Sequence, residues 1–532
     1  MPIGSNRSRA FVLVAAACVS VWAALVLVTI NQNYIYSWDS AAYVETARSI
    51  HEGRGLMQRT IHGLEPSLWE PISWWPPGYP ILVALVMAMG VSATTACVLV
   101  ALVSSAISVC VLAWITLPRF HWALTLALVL VTVSMPPFIQ SSSTCMSDAP
   151  YFLFAAASLA CLISWAAREE RSYLWLVIAG ILAGAAWGMR YAGSSLFIAT
   201  VIFFLCHVLW AHRLEVAKMG AAWLTGVALC AAPLMLWNLK TFGAIVPYSM
   251  PPSELSLWSN LRNAGRLIVL DMSTSRTLAD LIIAKEVLAL GALLSVTGLL
   301  IAVRYVSLAT VRDTLKRNRE YLLLATYAVA YLTIVIAART KYLWGEQITS
   351  RHLFQIYWIL WILLASCGSV LLHGRGLLRK GSTWILAFVL GALVLLQLRS
   401  TEAYFSSVWS PRGFDTAVGE VATEYLAKNV GKHQLVLSTR ADLLRTHADL
   451  NARKIPSVTQ YDILAPLTRD DILKLGASGL LWGLVIEDIR QAIAGEYDWL
   501  IKDIAEHPHR YPELEVVKIE TPAMILKYRA RR

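Results

Sequence analysis

Long apolar runs separated by short polar connections dominate this chain. Runs free of charged side chains occur at 10–30, 91–117, 120–139, 149–167, 172–189, 191–211, 219–239, 287–303, 321–338, 352–372 and 381–398. A helix that crosses a bilayer needs ~20 apolar residues, so the pattern predicts about eleven spans. Between Pro71 and Ser147 the only Lys, Arg, Asp or Glu is Arg119. The stretch 79–90 is too short to cross and is expected to be a re-entrant or interfacial helix. The first run, Ala10–Ile30, exceeds the apolar core of a typical signal peptide, and Asn31 and Gln32 follow it in place of an A-x-A cleavage site. It is expected to be retained as a span.

Three polar regions interrupt the apolar pattern: 31–80, 240–286 and 400–532. The first carries acids, bases and several tryptophans, and connections of that length are often functional. Within it, residues 40–52 have a helical pattern, with Gly53 and Gly55 as stop signals. The second holds an amphipathic stretch from Glu254 to Leu270, in which Leu257, Trp258, Leu261 and Ile268 share one helical face. That face suits either the membrane surface or a helix shielding the bundle. The third reads as a small α/β domain. Val418, Val421, Ala422, Tyr425 and Leu426 follow a helical period, and 434–438, 480–487 and 514–520 read as strands. The predicted architecture is a polytopic α-helical membrane domain over 1–399, followed by a soluble α/β domain over 400–532.

Composition agrees with the membrane assignment: the 532 residues are 57% hydrophobic and 15% charged, with mean hydropathy +0.58. Lys and Arg mark cytoplasmic loops. With Arg7 and Arg9 inside, alternate connections hold Arg119, then Arg168 and Arg171, then Arg213 and Lys218. A cytoplasmic N-terminus and an odd span count place the 31–80 loop and the C-terminal domain outside a cell or inner membrane. Residues 400–532 hold 17 basic and 18 acidic residues, so the net charge of +11 resides in the membrane part, where it meets anionic lipid headgroups. The basic residues form no contiguous run, which argues against nucleic-acid binding. The eight cysteines form neither a disulfide framework nor a zinc spacing. No P-loop or dinucleotide-binding glycine motif is present.

Charged residues gather at outer span ends: Asp148, Arg190, Lys240, Arg339, Lys341, Glu346 and Arg351. Asp39 lies at the start of its helix and shares a face with Tyr43 at i, i+4. It suits an N-cap, and a carboxylate held at a helix start keeps one oxygen free for a further role. Asp148, just before Ala149 and Pro150, suits a cap or a second carboxylate facing Asp39. Arg190, Lys341 and Arg351 read either as interfacial cations or as a phosphate clamp. Trp69, Trp74 and Trp75 suit an aromatic belt, the alternative for all three being to stack on a sugar or cover a lipid tail.

The segments WDSAAYVETARSI, HEGRGL and WWPPGYPILVALVMAMGVS resemble the start of GT-C membrane glycosyltransferases. The likeness is to the bacterial branch similar to protein O-mannosyltransferases and lipid A aminoarabinose transferases. It continues through MSDAPYFLFAAASLACL, GMRYAG, PLMLWNLKTFG and TSRHLFQIYWIL, and covers roughly the first two-thirds of the chain. The resemblance implies that Asp39, in the first external loop, is the catalytic base and that Asp148 is a second acidic position. The family's usual Asp-Glu pair is Asp39-Ser40 here, which weakens a metal site that needs paired acids and leaves a divalent metal open. In the last segment Arg351 and Leu353 match the family's Arg-Tyr-Leu-Leu-Pro, whereas His352, Phe354 and Gln355 depart from it.

The resemblance implies a polyprenyl-phosphate sugar donor and a hexosyl or pentosyl transfer. The donor phosphate would meet Arg190, Lys341 or Arg351, with Tyr43, Trp74 and Trp75 lining the substrate site. Asp39 would deprotonate a lipid, glycan or protein hydroxyl with inversion at the sugar. A lipid-linked-sugar flippase or other transporter is the alternative, and it requires polar groups through the membrane depth. A non-catalytic scaffold would leave the span-end arginines unexplained.

Overall fold

The computed structural model describes residues 5–29, 38–59, 69–167, 172–209, 211–247, 252–274, 316–342, 348–373 and 381–408. In the C-terminal part it describes 424–431, 434–439, 450–455, 468–478, 480–486, 499–520 and 523–529, with single positions 313, 441, 444 and 445. The membrane part contains α1 (Ser5–Thr29), α2 (Trp38–His51), the hairpin β1 (Met57–Arg59) and β2 (Trp69–Pro71), α3 (Gly78–Met87), α4 (Ala93–Thr116), α5 (Trp122–Val133), α6 (Pro136–Ser143), α7 (Asp148–Ala167), α8 (Leu174–Met189), α9 (Ser194–His207), α10 (Arg213–Phe242), α11 (Leu257–Ser273), α12 (Arg319–Lys341), α13 (Ser350–His373) and α14 (Gly381–Val408).

Six described helices are long and apolar enough to cross a membrane, or seven with the bent pair α5 and α6. Of the eleven expected spans, 287–303 lies outside the described residues. The spans expected at 172–189 and 191–211 are the shorter helices α8 and α9. The expected straight span at 120–139 is broken. Pro136 and Pro137 supply no N–H donors and disfavour a helical residue before them, so α6 restarts at a 66° angle to α5. The short stretch at 79–90 forms α3, and Ser92 begins α4 by accepting the Thr95 N–H at 3.2 Å. Helix α14 runs to Val408, past the domain boundary expected at 400.

Without a hydrophobic effect between lipid-solvated helices, close approach of backbones holds them together. Helices α8 and α10 show this most clearly. A Cβ on Gly226 would sit 2.0 Å from the Val177 carbonyl oxygen, and one on Gly180 would sit 2.1 Å from that of Trp223. Gly226→Leu should therefore force the pair apart, at the overpacking cost of ~1–3 kcal/mol or more. A lowered thermal midpoint in detergent, beside an unchanged Gly220→Leu control whose Cβ meets nothing within 4 Å, checks this. The outward faces of α10 and α14 expose Leu224, Leu229, Leu236, Phe388 and Leu395, as a hydrocarbon solvent permits.

The C-terminal part is a mixed five-stranded sheet built from β3 (Leu435–Ser438), β4 (Asn451–Lys454), β5 (Leu481–Ile486), β6 (Leu514–Glu520) and β7 (Ala523–Tyr528), in the order β4-β3-β5-β7-β6. Strands β4, β3 and β5 are parallel, whereas β7 and β6 are antiparallel additions. Both faces are covered. Leu435, Leu437 and Leu484 pack on one face with α15 (Arg469–Ala477) and α16 (Trp499–Glu506). Val436, Val485 and Trp482 pack on the other with Leu426, Leu444 and Leu450. Of the helix expected from Val418, only its last part, 424–429, lies within the described residues.

Candidate active site

Four elements distant in sequence deliver charged side chains to one point. Asp39 lies in the first turn of α2, one residue inside the helix rather than capping it, where a carboxylate suits the helix dipole. Asp148 is the first residue of α7. Arg190 sits in extended backbone (φ −149°, ψ 134°) where α8 gives way to a short 3₁₀ turn, Tyr191–Gly193. That turn is tight enough that a Cβ on Gly193 would meet the Trp187 nitrogen at 2.5 Å. Arg351 is the second residue of α13.

Arg351 links the two acids. Its Nη2 donates to Asp39 Oδ2 at 2.9 Å, and its Nε lies 3.4 Å from Asp148 Oδ2. Arg190 Nη1 donates to Asp148 Oδ1 at 2.5 Å. Two carboxylates and two guanidiniums thus balance in charge. The balance matters because the Asp148 side chain is only 2% exposed, and a buried carboxylate needs a paired cation. The acids are not equivalent. Asp39 is 26% exposed, whereas Asp148 is buried and pairs with both arginines. Gln355, one turn beyond Arg351, donates to the Asp148 carbonyl at 3.2 Å and ties α13 to the start of α7.

An aromatic group packs around Tyr43, one turn beyond Asp39 on α2. Tyr43 hydrogen-bonds Ser147 at 3.0 Å, and its ring meets those of Trp75 and Tyr79 edge-on. Trp74 tilts against Trp75 at 5.7 Å. Lys341 is not brought to the acids: it is exposed, with its ammonium 5.0 Å from the Tyr342 ring centre. Arg339, two residues earlier, turns inward and donates to His352 Nε2 at 2.5 Å. The Thr349 backbone N–H donates to His352 Nδ1 at 3.1 Å, and the Thr349 hydroxyl lies 2.9 Å from the same nitrogen. His352 thereby braces the α12 and α13 ends.

Arg351 lies between Asp39 and Asp148, and among the described residues no three His, Cys, Asp or Glu side chains converge. Ser40 is fully buried against the Met146 sulfur at 3.2 Å, so a carboxylate at that position would point into packed protein rather than into the site.

No protein-family model matches the sequence, and no curated protein matches it. Solved structures do. ArnT from Cupriavidus metallidurans superposes with TM-score 0.56 at 13% identity, over 96% of this chain and 97% of that one. Its undecaprenyl phosphate complex gives 0.56 at 14%, with the same coverage. The Archaeoglobus fulgidus oligosaccharyltransferase gives 0.55 at 11%, over 93% of this chain and 72% of the other. The fold is that of GT-C glycosyltransferases. The GT-C likeness covers nearly the whole chain, the C-terminal sheet included, and at these identities it is a likeness of fold. The Archaeoglobus fulgidus enzyme AglB, at TM-score 0.51 and 11% identity over 97% of this chain and 74% of its own, is a complex with an inhibitory peptide and a dolichol-phosphate.

Within this GT-C fold, several site-supporting residues carry no legible sequence signal. Gln355 departs from the resembled motif, and its tie to α7 arises only once α13 packs beside that helix. Glu45 and Arg445, paired across 400 positions, belong to segments that sequence reading treats as separate domains.

Proposed function

We propose that this protein is a glycosyltransferase that moves a sugar from a polyprenyl-phosphate donor to an acceptor hydroxyl. The carrying observation is an accessible carboxylate, Asp39, held beside the Arg351–Asp148–Arg190 group in a GT-C fold. The undecaprenyl phosphate and dolichol-phosphate complexes of the neighbours support the donor class. The donor phosphate meets the Arg351 and Arg190 guanidiniums, whose planar forks suit phosphate oxygens. Phosphate drawing on Arg351 loosens its bond to Asp39, so donor binding frees the base. Asp39 then takes the proton of the acceptor hydroxyl as its oxygen bonds to the anomeric carbon. The bond from that carbon to the phosphate oxygen breaks on the opposite side, the configuration inverts, and polyprenyl phosphate leaves. Trp74 and Trp75, half-buried, line the sugar side, while Tyr43 is buried behind Trp75 and supports it rather than meeting the sugar. Lys341 is left out of the clamp because it is turned away from the acids.

The positive-inside pattern supports a cytoplasmic N-terminus, with the site and C-terminal sheet on the outer face. An external site has no access to cytosolic nucleotide sugars, which favours a lipid-linked donor. The acceptor hydroxyl belongs to a lipid, glycan or protein.

The test is a transfer assay with purified protein in lipid, given a panel of polyprenyl-phosphate sugars and an envelope extract and read by mass spectrometry. Donor consumption with free polyprenyl phosphate and a newly glycosylated product is expected. Intact donors crossing between leaflets would replace this reading with that of a flippase.

A further inference from the structure

Helix α2 presents a second charged face that the chemistry above does not use. Glu45 lies six residues beyond Asp39, about 120° around a helix of ~100° per residue. Its carboxylate is clasped by Arg445 from the C-terminal part. Arg445 Nε donates to Glu45 Oε1 at 2.7 Å, and its Nη2 donates both to Glu45 Oε2 and to the Arg59 carbonyl, the latter at 2.8 Å. Both side chains are only 2% exposed. The contact is reinforced on each side. Arg59 donates its backbone N–H to Glu45 at 3.3 Å and its Nη1 to the Leu450 carbonyl at 2.8 Å. Arg48 Nη1 reaches the Arg445 carbonyl at 3.4 Å. On the C-terminal side Leu444 and Leu450 are buried with Val436, Ala452 and Trp482, and Leu450 leads directly into β4.

A buried ion pair contributes little net stability, because desolvation offsets the attraction, but its bidentate geometry fixes how two elements sit. This one joins the C-terminal sheet to the helix that carries Asp39. We propose that Arg445 is a positioning residue: through Glu45 it sets the rotation and depth of α2, and thereby the place of Asp39 beside Arg351. Arg190 and Arg351 stand on other helices, so the clasp governs the base and leaves the phosphate-binding arginines where they are. The inference rests on the Asp39 reading above for its kinetic part and on the geometry alone for its structural part.

The experiment uses the full-length protein in lipid nanodiscs, with Arg445→Met, Arg445→Lys and the double variant Glu45→Gln/Arg445→Met. The double variant removes both buried charges and so guards against mere misfolding. Turnover of whichever polyprenyl-phosphate sugar the wild type consumes is measured beside hydrogen–deuterium exchange of the 38–51 peptide. A displacement of ~1 Å in a catalytic group costs about 10²-fold in rate. A kcat loss of that order with unchanged donor KM is expected for Arg445→Met and for the double variant, with partial recovery in Arg445→Lys. Faster exchange within 38–51 is expected in both charge-deleted proteins. Wild-type turnover in the double variant, or unchanged exchange of 38–51 in Arg445→Met, would overturn the proposal. If the wild type consumes no donor, the transferase reading fails, and the exchange measurement decides the clasp by itself.

Discussion

Asp39→Asn should lower turnover by about 10²–10⁴-fold, the range typical of a lost general base, while donor binding is retained. The substitution is nearly isosteric and removes only the basic oxygen. Asp39 is partly exposed, so its loss leaves no buried charge uncompensated except on Arg351, which keeps its approach to Asp148 at 3.4 Å. Folding should therefore survive, and a thermal midpoint close to wild type serves as the control. Asp148→Asn makes an instructive contrast. Asp148 is buried between two guanidiniums, so neutralising it leaves two cations facing one another and should lower stability as well as rate. A kcat defect without a stability defect is thus expected of Asp39 and not of Asp148.

Arg351→Met should weaken the donor rather than only the chemical step. Arg351 touches both acids, and in the proposed mechanism its guanidinium exchanges a carboxylate for the donor phosphate. Hydrogen bonds to charged groups are worth ~1.5–3 kcal/mol, which corresponds to roughly a 10- to 100-fold rise in donor KM at ~1.4 kcal/mol per decade. Turnover should fall as well, because Asp39 loses the partner that orients it. Arg351→Lys keeps the charge but not the fork, so it should recover part of the affinity. Donor titration of the three proteins at fixed acceptor separates these outcomes. A donor KM unchanged in Arg351→Met would place the phosphate elsewhere.

How much of this was legible in sequence varied with the length scale of the signal. Apolar runs near twenty residues announce their helices, because the bilayer imposes that length. The bend at Pro136–Pro137 was not read from the charge-free run 120–139, which counts as one span, and its 66° depends on how α6 packs against its neighbours. Strand β3 read plainly from LVLS, whereas β4, with sequence NARK, did not: its polar residues form a strand only because it pairs with β3. The acids and arginines of the site were legible as span-end charges, and their convergence joins positions 39, 148, 190 and 351. The choice between Arg339 and Lys341 was not legible. Residues two apart on a helix face nearly opposite ways, and packing against His352 decides that Arg339 turns inward. The Glu45–Arg445 pair was hidden because two segments 400 residues apart offer no local pattern to read.

The most direct test of the central claim is a single-turnover measurement. Purified wild type and Asp39→Asn, each preloaded with the polyprenyl-phosphate sugar that binds best, are mixed with acceptor, and released polyprenyl phosphate is followed by mass spectrometry. The account predicts rapid release with an inverted glycosidic product from the wild type, and equal donor loading with little release from Asp39→Asn. Equal rates of release from the two proteins would contradict it.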